Sequence, residues 1–272
     1  VDKKEQIEYA HFLIERISKD FLLEGSPYII QEGFENIRDL IILYGKQSNL
    51  LESVLVLIEN NMAEEAFILM RSLLNNFMLL VYLSNDDSKQ TRHKEFSLQP
   101  IKTYLKFLYD MRKGVERGWL SQDKLIDLEL KIKIFEDELE NHREVFYKKN
   151  GKKSYNTRPI SISKMANSDE FLYNYYISHY REGSAYEHSD PSSLKIYKDK
   201  FMDDNDVDGV FKLDLSKTDI ELEENVLKTA IGIYTMSYLT LLKLFSNDYE
   251  YLIEDRKTKL EEIALIMHAS SI

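Results

Sequence analysis

The sequence predicts an all-α protein, a single multi-helix bundle domain of about eight helices over residues 1–272. Three observations predict it. Apolar residues recur at steps of three and four through most of the chain, the period of a helix buried along one side. Glycine (9) and proline (4) are scarce, whereas a sheet-rich fold needs many turn residues. Hydrophobic residues make up 43%, with 18 Tyr and 13 Phe, enough for a sizeable core, and the 31% of charged residues suits helices with one solvated face.

The elements follow in order. Ile7, Ala10, Ile14, Ile17 and Phe21 share one face of a first helix, which Gly25 and Pro27 stop. A second helix carries Phe34, Ile37, Ile41, Tyr44, Leu51, Leu55 and Ile58 on one stripe, with Gly45 as a kink point. A third, Ala63 to Leu83, is apolar nearly all round and is expected at the centre. Arg71, Asn75 and Asn76 interrupt it and are costly in hydrocarbon, so the expectation is a core helix and no membrane span. Glu64, Arg71 and Asn75 fall on one face, where a guanidinium must find acceptors; Glu64 and Asp190 are the expected ones.

Asn85-Asp86-Asp87-Ser88 reads as a turn. Pro100 opens a helix with Ile101, Tyr104, Leu105 and Leu108 inward, ended by Gly114 and Gly118. Ser121 caps a long helix to about residue 148, with Leu125, Leu128, Ile132, Phe135, Leu139 and Phe146 near heptad spacing. Such a pattern packs on a partner helix, in the same chain or in a second copy. Asn150-Gly151 begins a basic loop, 149–160, expected to be mobile and the one internal boundary. A further helix spans about residues 168–189 and stops before Pro191. After a polar turn at 203–209 and an extended piece at 210–215, Thr218 and Glu221 form a capping box. The helix they open is expected to bury Ile220, Leu227, Ile231, Tyr234, Tyr238, Leu241 and Phe245, and a last helix covers about residues 249–267.

Composition narrows the chemistry. With no cysteine, disulfides and thiolate metal sites are excluded. The histidines show no metal-ligand spacing, and there is no glycine-rich phosphate loop or Gly-x-Ser-x-Gly, so neither a metal nor a cofactor is expected. Asp204-Asn205-Asp206-Val207-Asp208-Gly209 opens like a calcium loop, but Lys212 and Leu215 occupy its ninth and twelfth positions, and a solvated acidic turn is the expectation. The first residues lack an apolar leader, which predicts an intracellular, cytoplasmic protein. The net charge of −11 argues against a general nucleic-acid binder. From Arg143 to Lys164, however, seven cations face one acid, so an anion can be accommodated at one place.

The sharpest constellation is Tyr180-Arg181-Glu182-Gly183-Ser184-Ala185-Tyr186-Glu187-His188. Arg181 and His188 are two helical turns apart and point the same way, with Ser184 between them. A guanidinium grips phosphate oxygens and an imidazole moves a proton near neutral pH, so the pair can cleave RNA without a metal. With 10 Arg and 6 His in the chain, such a spacing arises about once by chance, and a structural Arg–His tie between helices is the competing reading. Arg71, Tyr180 and Ser184 are candidate substrate contacts near the pair, and Lys152, Lys153 and Arg158 are candidates on the basic loop, whose interleaved Phe146, Tyr147 and Tyr155 suit single-stranded RNA.

Arg181 with His188, seven residues on in an all-α chain, resembles the HEPN superfamily, many of whose members are RNases of toxin–antitoxin, CRISPR and phage-defence systems. That resemblance implies a HEPN-like core and a homodimer in which two Arg–His pairs meet. The chain also resembles an uncharacterised helical family with an Arg-Ser-Leu-Leu helix, here Arg71 to Leu74, and Tyr-Arg-x-x-Ser-x-x-x-His, here Tyr180, Arg181, Ser184 and His188; this second likeness implies no activity. The expected function is thus a HEPN-like, metal-independent endoribonuclease or RNA-binding protein. A non-enzymatic helical interaction protein and a nucleotide- or anion-sensing bundle are the alternatives.

Overall fold

The computed structural model describes residues 2–17, 33–181 and 220–245, and the backbone alone of 198–200, 211–213 and Phe245. The protein is all-α. Its helices are α1 (Lys3–Ile17), α2 (Glu35–Glu59), α3 (Ala63–Ser84), α4 (Thr91–Ser97), α5 (Gln99–Glu116), α6 (Leu125–Asn141), α7 (Ile162–Ala166), α8 (Glu170–Tyr175) and α9 (Ile220–Phe245). Among the described residues two small antiparallel strand pairs accompany them, β1 (Val145–Tyr147) with β2 (Lys153–Tyr155), and β3 (Lys198–Lys200) with β4 (Phe211–Leu213). The extended piece expected at 210–215 is β4.

The chain divides into two compact units, Val1–Asn85 with Met165–Ile272, and Asp86–Lys164. In the first unit α2, α3 and α9 pack on one another, and α1 lies against α2 and α9. The core follows the apolar stripes: Leu40, Tyr44, Leu51, Val54, Leu55 and Ile58 of α2, Phe67, Met70, Leu73, Leu74, Phe77, Met78, Leu80 and Leu83 of α3, and Val226, Leu227, Ala230, Ile233, Tyr234, Tyr238 and Leu241 of α9 are buried. Gly45 leaves α2 unbroken. Burying each Leu or Phe contributes about 1.5–3 kcal/mol relative to leaving it in water, so these stripes dominate the unit's stability. Between α2 and α9 the core is partly polar. Tyr44 stacks on Tyr234 at 5.4 Å, Ser48 shares a hydrogen bond of 2.9 Å with the Tyr234 hydroxyl, and Gln47 Nε2 donates to Ser237 Oγ at 2.9 Å. Burial pushes the Tyr44 phenol well above its ordinary range.

Several expected positions shift. On α1, Leu13 is buried where Ile14 was expected, and Ile14 is half-buried; the stripe steps by three at that turn. Phe21 lies outside the described residues. On α9, Ile220 is 70% exposed, and Ile231 is half-buried beside the buried Ala230. Thr218 of the capping box, the turn at 203–209 with its acidic run, and the helix expected at 249–267 lie outside the described residues. On α3 the buried amide is Asn76, which donates to the Leu43 carbonyl at 2.7 Å, whereas Asn75 is exposed.

α2 and α3 are long and apolar enough to cross a membrane by length and composition, a test that core helices also pass. In this fold 67% of the apolar window of α3 is buried inside the protein.

In the second unit α5 and α6 pair along their length, with Leu105, Leu108, Val115, Leu128, Ile132 and Leu139 as the core. The heptad-like stripe of α6 therefore finds its partner within the chain. Tyr104 is exposed rather than inward. The helix ends at Asn141, earlier than expected. Arg143 adopts φ 60, and the N–H of Glu144 turns back to the Leu139 carbonyl at 2.8 Å, a left-handed cap that stops the helix. Gly118 does the same after α5, with φ +73 and the Trp119 N–H on the Gly114 carbonyl at 2.9 Å. α4 is started by carboxylates: Asp86 accepts the N–H groups of Arg92 (2.9 Å) and His93 (2.8 Å), and Asp87 accepts from Thr91 (3.1 Å). The hydrogen bonds from Thr91 hold the Asp87 carboxyl below its ordinary pKa.

Candidate functional site

Arg181 is the last described residue of a helical segment whose start can be traced. The Asp169 carboxylate accepts the N–H groups of Phe171 (2.9 Å) and Leu172 (3.2 Å), which opens α8. Phe171 and Tyr175, one turn apart, meet Phe77 of α3 edge-on at 6.3 and 6.4 Å, and burial raises the Tyr175 pKa. The helix then widens into a π turn over Tyr176–Tyr180 before returning to helical geometry at Arg181 (φ −67, ψ −40). A π turn holds one residue more than an α turn, so every side chain after it is displaced around the axis.

That displacement accompanies a clamp. Tyr180 stacks on Tyr176 at 5.6 Å, and Arg71 of α3 lies over the Tyr180 ring at 4.2 Å while its Nη2 donates to the Tyr180 hydroxyl at 2.8 Å. The side chain of Arg71 is half-buried. Tyr180 is thus an acceptor for Arg71 beside the carboxylates expected, Glu64 and Asp190, of which Asp190 lies outside the described residues. Arg181, by contrast, is exposed and has no polar partner among the described residues. It is not a buried tie between described helices. Ser184 and His188 lie outside the described residues.

The other expected contacts belong to the second unit. The segment read as a mobile loop is instead the β1–β2 hairpin, in which Phe146 pairs with Ser154 and Tyr147 with Lys153. Asn150 and Gly151 make its turn: Gly151 takes φ +74 and donates to the Lys148 carbonyl at 2.8 Å, and Asn150 Oδ1 accepts the Lys152 N–H at 3.1 Å. An Asn-Gly pair flanked by aromatic and β-branched residues is a hairpin signal that the loop reading overlooked. Lys152 is exposed near the tip, with no polar partner for its side chain among the described residues. Lys153 is committed to an ion pair with Glu140, whose hydrogen bond raises the lysine's pKa. Arg158 lines a cleft of about 400 Å³ together with Arg143, Val145, Phe146, Asn156 and Glu144. The acid in that cleft is already engaged, since Glu144 accepts from Lys102 at 3.1 Å and from Asn156 at 2.8 Å. Arg143 and Phe146 are thus cleft residues, whereas helical periodicity placed Phe146 on the stripe of α6. Among the described residues no group of three or more His, Asp or Glu could hold a metal ion.

The fold and this geometry define an all-α protein that exposes an arginine directly after a π turn, with a basic hairpin in its second unit. A family model described as a family of unknown function (DUF5677) matches residues 40–209, well over half of the chain, and the protein belongs to that family. The match takes in Arg71, Tyr180, Arg181, Ser184 and His188 as well as the hairpin. No curated protein and no solved structure is matched by the chain.

Proposed function

We propose that this protein binds single-stranded RNA and cleaves it without a metal, using Arg181 and His188 in the manner of HEPN-like nucleases. The observation that carries the reading is the contrast between two neighbouring cation sites. Arg71 is held by Tyr180, whereas Arg181, the next residue along, offers an exposed guanidinium with no described partner. A clamped neighbour fixes the helix, and the free fork remains for a phosphate.

In this reading the imidazole of His188 takes the proton from a ribose 2′-hydroxyl or delivers one to the leaving 5′-oxygen. The 2′-oxygen attacks phosphorus, the bond from phosphorus to the 5′-oxygen breaks, and Arg181 offsets the charge that gathers on the non-bridging oxygens. Ser184, three residues after Arg181 and four before His188 in the sequence, contributes a hydroxyl to the scissile phosphate in this reading. Support for RNA as the ligand comes from the hairpin, where Lys152, Arg143 and Arg158 accompany the exposed rings of Phe146 and Tyr147. Cations that track a backbone beside rings that stack on bases suit a single strand.

The test is incubation of the full-length protein with total RNA in excess EDTA, beside Arg181→Ala and His188→Ala. Cleavage by the wild type that falls by about 10²-fold or more in either variant is the expected result. Negligible cleavage by all three proteins at equal fold content would end the proposal.

A further inference from the structure

The apolar residues of α6 form two sets. Leu128, Ile132 and Leu139 are buried in the core shared with α5. Ile126, Leu130 and Ile134 are 85%, 60% and 54% exposed, and their spacing of four sets them along one stripe of the helix. Three branched apolar side chains in line on a solvated helix face are the pattern of a helix–helix seam.

The charges beside the stripe say what covers it. Around Leu130 the sequence runs Ile126-Asp127-Leu128-Glu129-Leu130-Lys131-Ile132-Lys133-Ile134. Each residue before Leu130 is answered at the same distance after it: Glu129 by Lys131, Asp127 by Lys133, Ile126 by Ile134. On a helix, Asp127 and Lys131 lie along one edge of the stripe, and Glu129 and Lys133 along the other. The first pair already meets within the helix at 2.7 Å. If two copies pack antiparallel about a twofold axis at Leu130, each edge meets its own kind. Asp127 then lies beside Lys131 of the partner subunit, and Glu129 beside Lys133 of the partner subunit. A parallel arrangement would set the acid of one edge beside the acid of the other, and lysine beside lysine.

We propose that this stripe is the contact between two copies of the chain, packed antiparallel about Leu130. The contact is isologous, so one self-complementary surface closes the dimer. It rests on the α6 surface alone and stands whether or not the protein cleaves RNA.

The experiment uses the full chain. Sedimentation and light scattering should give twice the chain mass for the wild type and the single-chain mass for Leu130→Glu, with unchanged circular dichroism because Leu130 is exposed. A second measurement needs no dissociating variant. The protein has no cysteine, so Leu130→Cys introduces the only thiol. Under mild oxidation Leu130→Cys should link two chains. Ile126→Cys should not, because its symmetry mates stand about 12 Å apart along the axis, beyond disulfide reach. A wild type that stays monomeric at high concentration overturns the proposal. So does a dimer indifferent to Leu130→Glu, which another surface or a segment of this chain would explain, and so does equal cross-linking at both cysteines, the mark of a parallel pair.

Discussion

Arg71 and Tyr180 stand 109 residues apart in sequence and share one hydrogen bond and one ring face. Tyr180→Phe keeps the ring and removes the acceptor, so it should cost about 1 kcal/mol in urea unfolding while lowering RNA cleavage far less than Arg181→Ala does. A comparable loss of activity in both variants would move the chemistry to the clamp. The buried pair in the second unit is more sensitive. Lys102 is 1% exposed and its ammonium meets Glu144 at 3.1 Å. Glu144→Ala strands that charge and should destabilise the protein by about 3 kcal/mol, whereas the double change Lys102→Met with Glu144→Gln should cost much less, because no buried ion is left. Denaturant midpoints of the three proteins decide it. At this scale the sequence shows that Arg71 on an apolar helix needs an acceptor. It does not show which, because a π turn more than a hundred residues later sets the position of the Tyr180 ring. Lys102 carried no signal, since a lysine beside Ile101 reads as the solvated side of a helix.

Two helix ends in the second unit use the same left-handed cap with different residues. Gly118 takes φ +73 without a side-chain cost, and Arg143 takes φ 60 at a cost. Gly118→Ala should therefore destabilise by about 1 kcal/mol, and Arg143→Gly should stabilise slightly, by about 0.5 kcal/mol, even as it weakens RNA binding at the hairpin cleft. Opposite shifts in melting temperature are the readout. The start of α4 adds a pH dependence. The folded pKa of Asp87 is depressed by its bonds to Thr91, so its contribution is present above the ordinary carboxylate value of 3.8 and disappears as pH falls through the lower folded value. Melting curves of the wild type and Asp87→Asn should differ at neutral pH and converge in strong acid. Elements with sustained periodicity, α2 and α3, were legible in the sequence to within a few residues, whereas α6 ends at Asn141, before its apolar pattern does. The β1–β2 hairpin was overlooked because seven cations masked a strand pair only three residues long on each side.

Over the whole molecule, the all-α class was legible from helical periodicity and the scarcity of turn residues. The division into units was not, because Asn85-Asp86-Asp87-Ser88 reads only as a turn between helices and no linker composition marks Met165. Membership of a family of unknown function supplies no activity, so the functional claim depends on the chemistry proposed for Arg181 and His188. Attack by a 2′-oxygen makes a demand of its own: the substrate must carry a free 2′-hydroxyl. The most direct measurement compares a defined single-stranded RNA with its fully 2′-O-methylated copy, in EDTA, with wild type and His188→Ala. The account predicts that the wild type cuts only the unmodified strand, leaving 2′,3′-cyclic phosphate and 5′-hydroxyl ends, and that His188→Ala is slower by about 10² or more. Cutting of the methylated strand, or equal rates with and without the imidazole, would contradict it.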